Sequence, residues 1–142
     1  MDYDCINFTI RPLNFVYKIA FVVGLVLFDV QTFGLCRFFQ NVQQIGKGVF
    51  AGCISLESVN MGDQITDIAA NMFAGCTMLK TINLGTNPTL KSIGEDAFAS
   101  TGLTAFDFSV CTQLKVIGRW AFAGVQLAEI VLPSSIESIG EG

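Results

Sequence analysis

Apolar positions in this chain follow one order that is written several times. An element of the form Ile-Gly-x-x-apolar-Phe-Ala appears as IGKGVFA from Ile45, IAANMFA from Ile68, IGEDAFA from Ile93 and IGRWAFA from Ile117, and another begins at Ile139. Its phenylalanines stand at 50, 73, 98 and 122, so the steps are 23, 25 and 24 residues. A Leu-x-x-apolar-x-apolar run follows each time: Leu56, Val59 and Met61; Leu79, Ile82 and Leu84; Leu103, Phe106 and Phe108; Leu127, Ile130 and Leu132. The last two members of each run alternate with polar or small residues, which predicts a strand buried on one face. A second apolar pair then returns the chain: Ile65 and Ile68, Leu90 and Ile93, Leu114 and Ile117, Ile136 and Ile139. Gly62, Gly85, Pro88 and Pro133 lie between and suit turns. The Ile-Gly half is too short for a stable isolated helix. One or two helical or 3-10 turns held by packing are expected there, closed at Gly52, Gly75 and Gly124.

A self-similar period in the twenties indicates a solenoid. The predicted fold is an α/β repeat solenoid with 22–25 residues per repeat. Residues 1–22 form an N-terminal segment without clear register. Residues 23–142 form the solenoid, divided into a degenerate first repeat at 23–44, repeats at 45–67, 68–92, 93–116 and 117–138, and a truncated one at 139–142. Stacking consecutive units at the ~4.8 Å spacing of strands puts equivalent residues over one another. Phe50, Phe73, Phe98 and Phe122 then make an aromatic column, with a second column of isoleucines at 45, 68, 93, 117 and 139. The residues alternating with the buried strand positions face outward: Ser58, Asn60, Thr81, Asn83, Ala105, Asp107, Glu129 and Val131, with Arg37 on the degenerate unit. That face is shallow and polar, and is either a partner site or a solvated surface. Trp120, beside Arg119 on the opposite side, is the one tryptophan.

The first 44 residues hold a run of ten apolar residues, IAFVVGLVLF at 19–28, bracketed by Lys18 and Asp29. A membrane span asks for ~18 or more. A signal peptide fits the core length but lacks a small-residue cleavage site after Asp29. The favoured reading is a worn terminal repeat, because VGLVLF at 23–28 matches the apolar positions of IGKGVF at 45–50. Membrane association through residues 13–28 stays open as an alternative. Asn7-Phe8-Thr9 is a glycan acceptor only if the segment is exported. The chain stops part-way into another unit, which suggests a fragment of a longer array. Otherwise Ile136 and Ile139 offer an edge for end-to-end self-association.

Composition acts mainly by exclusion. Hydrophobic residues are 51% and charged ones 14%, so a packed core is expected. A net charge of −4 without a basic stripe argues against nucleic acid. Five cysteines (5, 36, 53, 76 and 111) form no C-x-x-C pair and histidine is absent, so no metal site is expected. Cys53 and Cys76 share a repeat position that Thr101 and Val125 fill in later units, which favours packing over a disulfide. Without histidine no Ser-His or Cys-His pair can form, and no phosphate-binding glycine motif appears. Glu95 and Asp96 suit the dipole of a short helical turn better than catalysis. No enzyme activity and no cofactor are expected.

AFAGVQLAEIVLPSSIESIG and MFAGCTMLKTINLG resemble the BspA-like leucine-rich repeats, well over residues 45–142 and loosely over 23–44. Departures are few: the Leu-Pro step survives only at Pro133, Ala69 replaces a glycine, and two units carry two extra residues before Leu90 and Leu114. The resemblance implies a right-handed solenoid with a parallel sheet on one face. It also implies a surface or secreted protein of adhesin or antigen type that binds a protein or glycan surface. No catalytic residues come with it. A structural spacer without a partner, and a cytoplasmic place, remain as alternatives.

Overall fold

In the computed structural model, residues 35–37 are described by their backbone, and residues 45–86 and 88–142 in full. The readings of residues 1–22 and 13–28, the sequon at Asn7, and the side chain of Arg37 lie outside the described residues. Seven short strands carry the architecture: β1 (Leu35–Arg37), β2 (Ser58–Asn60), β3 (Asp67–Ile68), β4 (Thr81–Asn83), β5 (Ser92–Ile93), β6 (Val116–Ile117) and β7 (Ser138–Ile139). They form two parallel sheets, β1-β2-β4 and β3-β5-β6-β7. Each strand pairs with its equivalent in the next coil, for example Val59 with Ile82 and Ile93 with Ile117.

The second sheet corrects the expectation of one sheet on one face. Its strands are only two residues long, with a single buried isoleucine in each of β3, β5 and β6. A two-residue strand has no alternation to read, so the sequence showed these segments only as return connections.

The third face also differs from expectation. No α-helix or 3-10 helix occurs among the described residues; the Ile-Gly element is a pair of successive turns. Two features deny it a helix. Every fourth residue takes the left-handed conformation: Gly48 and Gly52, Asn71 and Gly75, Asp96 and Ser100, Trp120 and Gly124, with φ between 51° and 73°. Alternate N–H groups are also spent on the neighbouring coil. Gly48, Phe50 and Gly52 donate to the carbonyls of Ala70, Met72 and Ala74 at 2.7–3.0 Å, and Asn71, Phe73 and Gly75 donate to Glu95, Ala97 and Ala99 at 2.8 Å. This turn stack is a third ladder between coils. A helix would need those N–H groups four residues back in its own chain. Glu95 and Asp96 therefore face no helix dipole; Asp96 occupies a left-handed turn position that aspartate tolerates.

The core lies between the three faces. The rings of Phe50 and Phe73 stack at 5.4 Å, those of Phe73 and Phe98 at 5.4 Å, and those of Phe98 and Phe122 at 5.2 Å. Phe50, Phe73 and Phe98 are buried and Phe122 is half-buried; fully burying such a ring contributes about 1.5–3 kcal/mol. Ile45, Ile68, Ile93 and Ile117 are buried beside them, whereas Ile139 is 55% exposed. Close approach of the coils requires glycine after Ile93 and Ile117, although Ala69 follows Ile68 and Gly46 has room for a side chain. A Cβ at Gly94 would stand 2.5 Å from the Ala70 nitrogen, and one at Gly118 would stand 2.6 Å from the Glu95 nitrogen.

The predicted strands in the third and fourth runs do not form. Phe106 and Phe108 are buried, but Phe108 N–H donates to Phe106 C=O at 3.1 Å, turning the backbone on itself. In the next run Ile130 and Leu132, expected inside, are 57% and 39% exposed.

Candidate functional site

The outward side of β1-β2-β4 presents side chains in registered rows. Ser58 pairs with Thr81, and Asn60 with Asn83, so a hydroxyl row runs beside an amide row. The backbone of Arg37 in β1 is in register with Asn60. Thr81 and Asn83 are exposed, and Ser58 and Asn60 half-buried. Asn83 Oδ1 accepts the Gly85 N–H at 2.8 Å.

Asp107 and Glu129 are exposed as expected, but stand on irregular backbone rather than on strands, as do Ala105 and Val131. Asp107 Oδ1 accepts the Ser109 N–H at 2.9 Å and the Ser109 hydroxyl at 2.5 Å. That Asp-x-Ser turn was legible in the sequence as a turn signal inside a supposed strand. Where it replaces the strand, a cleft of about 300 Å³ opens between β4 and residues 106–110. Sequence reasoning missed Ile82 and Val110, which line it, because it assigned them to the core or to no role.

Cys111 lies under this segment. Burial, with the nearby Asp107 carboxylate second, pushes its thiol up to about 11, so it stays protonated at neutral pH. Cys53 and Cys76 are not joined in a disulfide. Cys76 Sγ donates to Phe50 C=O at 3.0 Å, while Thr101 in the equivalent place donates to Phe98 C=O at 2.9 Å. Both replace a bond to water by one inside the core, so the thiol and the hydroxyl are buried with a partner.

Trp120 sits away from the strand face. Its backbone is left-handed at φ 51°, an outlier for a bulky residue, and its N–H donates to Glu141 C=O at 2.8 Å. The Arg119 guanidinium lies 4.7 Å from the ring centre and 3.6 Å from Glu141. The ring also lies against Gly142, where an added Cβ would meet Cδ1.

Among the described residues, no group of three or more Cys, Asp or Glu is placed to hold a metal. No helix among them is long and apolar enough to cross a membrane.

Stacked coils, registered parallel strands and the repeating Ile-Gly…Phe-Ala turns accord with the family comparison: the profile described as BspA type leucine rich repeat region matches residues 27–142 in six copies. The chain belongs to the BspA-type leucine-rich repeat family. Among solved structures it is similar to a leucine-rich repeat protein of T. pallidum, with 30% identity and a TM-score of 0.61. That match covers 75% of this chain and 51% of the other, so this chain spans about half the length of that relative. No curated protein gives a significant match.

Proposed function

We propose that this BspA-type repeat chain is a non-enzymatic interaction module. Its contact surface is the outward strand face of Arg37, Ser58, Asn60, Thr81 and Asn83, with Asp107 and Glu129 beside it. The observation that carries the reading is the registered pair of rows, Ser58 over Thr81 and Asn60 over Asn83. Small hydroxyl and amide groups repeated at the inter-strand spacing can bond an extended protein or glycan surface without rearranging. The reading takes the coil as right-handed, as nearly all parallel crossovers are, with 22–25 residues per turn. It places the protein at the cell surface or outside the cell, as an adhesin or antigen.

Binding to immobilised extracellular-matrix proteins and to a glycan array tests it. Substituting Asn60→Ala, Asn83→Ala and Asp107→Ala together is expected to weaken binding about tenfold or more. Binding that survives the triple substitution unchanged would instead indicate a spacer, since this face carries no tryptophan or tyrosine anchor.

A further inference from the structure

The first sheet stops at β4 in the middle of the stack. In a parallel strand, residues bonded to one neighbour alternate with residues bonded to the other. Thr81 N–H donates to Glu57 C=O, and Asn83 C=O accepts the Met61 N–H. Residues 81 and 83 therefore serve the β2 side, and the N–H and C=O of Ile82 face the opposite edge. The following coil brings no strand there, because Phe108 N–H is turned onto Phe106 C=O and Asp107 caps Ser109. Among the described residues β4 ends the sheet.

The cleft of about 300 Å³ opens on this edge. Ile82, Leu84, Phe106 and Val110 supply apolar walls, and Asn83 and Asp107 polar groups at the rim. No lysine or arginine lines it. Its volume is at the lower end for ligand sites.

We propose that this notch takes an extended peptide segment of a partner protein, bearing a lysine or arginine. Its backbone pairs with Ile82 as an added strand, and its basic group meets Asp107. Pairing to a strand edge supplies affinity, and the wall and rim groups supply choice of side chain. A sugar would leave the Ile82 amide and the apolar walls poorly used, and an anionic ligand would meet Asp107 with the wrong charge. The proposal rests on the reading of the outward face as a contact surface and narrows its occupant.

The test is a titration of the ¹⁵N-labelled full chain with acetyl-Val-Lys-Val-Lys-Val-amide, and with the same peptide carrying Glu for Lys. The Lys peptide is expected to shift the Ile82 and Val110 amides and slow hydrogen exchange at Ile82; the Glu peptide is expected to do neither. Asp107→Asn, which can still accept the Ser109 N–H, should weaken the Lys peptide roughly threefold, the scale of one exposed ion pair. Val110→Trp should block the notch. Silence at Ile82 with millimolar Lys peptide, or equal response to the Glu peptide, overturns the proposal. If Ile82 is silent while Asn60→Ala still weakens matrix binding, the notch fails and the wider face stands. A response at Ile82 with matrix binding unaffected by Asn60→Ala supports the notch and sinks the wider face.

Discussion

Truncating Phe98 to alanine tests the stacking directly. Phe98 is 0% exposed and its ring meets Phe73 at 5.4 Å, Phe122 at 5.2 Å and Phe106, edge-on, at 5.6 Å. Removal of a buried phenylalanine ring costs about 3–5 kcal/mol, the higher values arising where surroundings cannot collapse. Here collapse is opposed from both sides. The backbone of Phe98 is tied to the next coil by its N–H bond to Ala121 C=O at 2.8 Å, and Phe73 donates to Ala97 C=O at 2.8 Å. Coil spacing is therefore fixed by the ladders, and neighbouring rings cannot slide into the void. Three ring contacts are also lost, each worth about 0.5–1.5 kcal/mol beyond burial. The expected loss is about 4–5 kcal/mol. In urea, with a slope of about 2 kcal/mol/M, the midpoint followed by circular dichroism should fall by roughly 2 M. Ile54→Ala, at a side chain 62% exposed, serves as the control and should stay within about 0.5 kcal/mol. A loss under about 1 kcal/mol at Phe98 would refute the stacked column as a main source of stability.

Gly94→Ala and Gly118→Ala should each cost about 1–3 kcal/mol in the same melts, because the new methyl meets backbone rather than a side chain that can turn away. Gly46→Ala, whose added Cβ would find only Val49 Cγ2 at 3.7 Å, should be nearly neutral. The raised thiol of Cys111 means the native state holds its proton where the unfolded chain has released it. Its contribution is intact below pH 9 and lost between about pH 9 and 11, so Cys111→Ala should flatten the fall in stability across that window relative to wild type. Over the same reasoning the Cys111 thiol should resist alkylation at pH 8 in the native protein and react after unfolding. Lys115→Ala, which removes a 2.8 Å ion pair to Glu137 between exposed side chains, should change the urea midpoint by less than about 0.3 M.

The sequence alone determined which residues lie over one another. Phe50, Phe73, Phe98 and Phe122 recur at a nearly constant interval because each must fill the same place in successive coils. That requirement is local to each unit and survives in the string of letters. Val59 and Ile82 were readable as partners for the same reason, and so were the outward rows of Ser58, Asn60, Thr81 and Asn83. The path of the backbone between those anchors was set by contacts between coils. IGEDAFA suggested a helical turn, but N–H groups claimed by the next coil and left-handed residues at 96 and 100 made a turn stack instead. The two-residue strands at Ile68, Ile93 and Ile117 exist because equivalent segments meet, a property of the assembled coils that no single segment carries. The same holds for the notch: Phe106 and Phe108 read as a strand, and the Asp107 cap on Ser109 ended the sheet. Side-chain periodicity records burial. Hydrogen-bond partners many residues apart are chosen only when the coils close on one another.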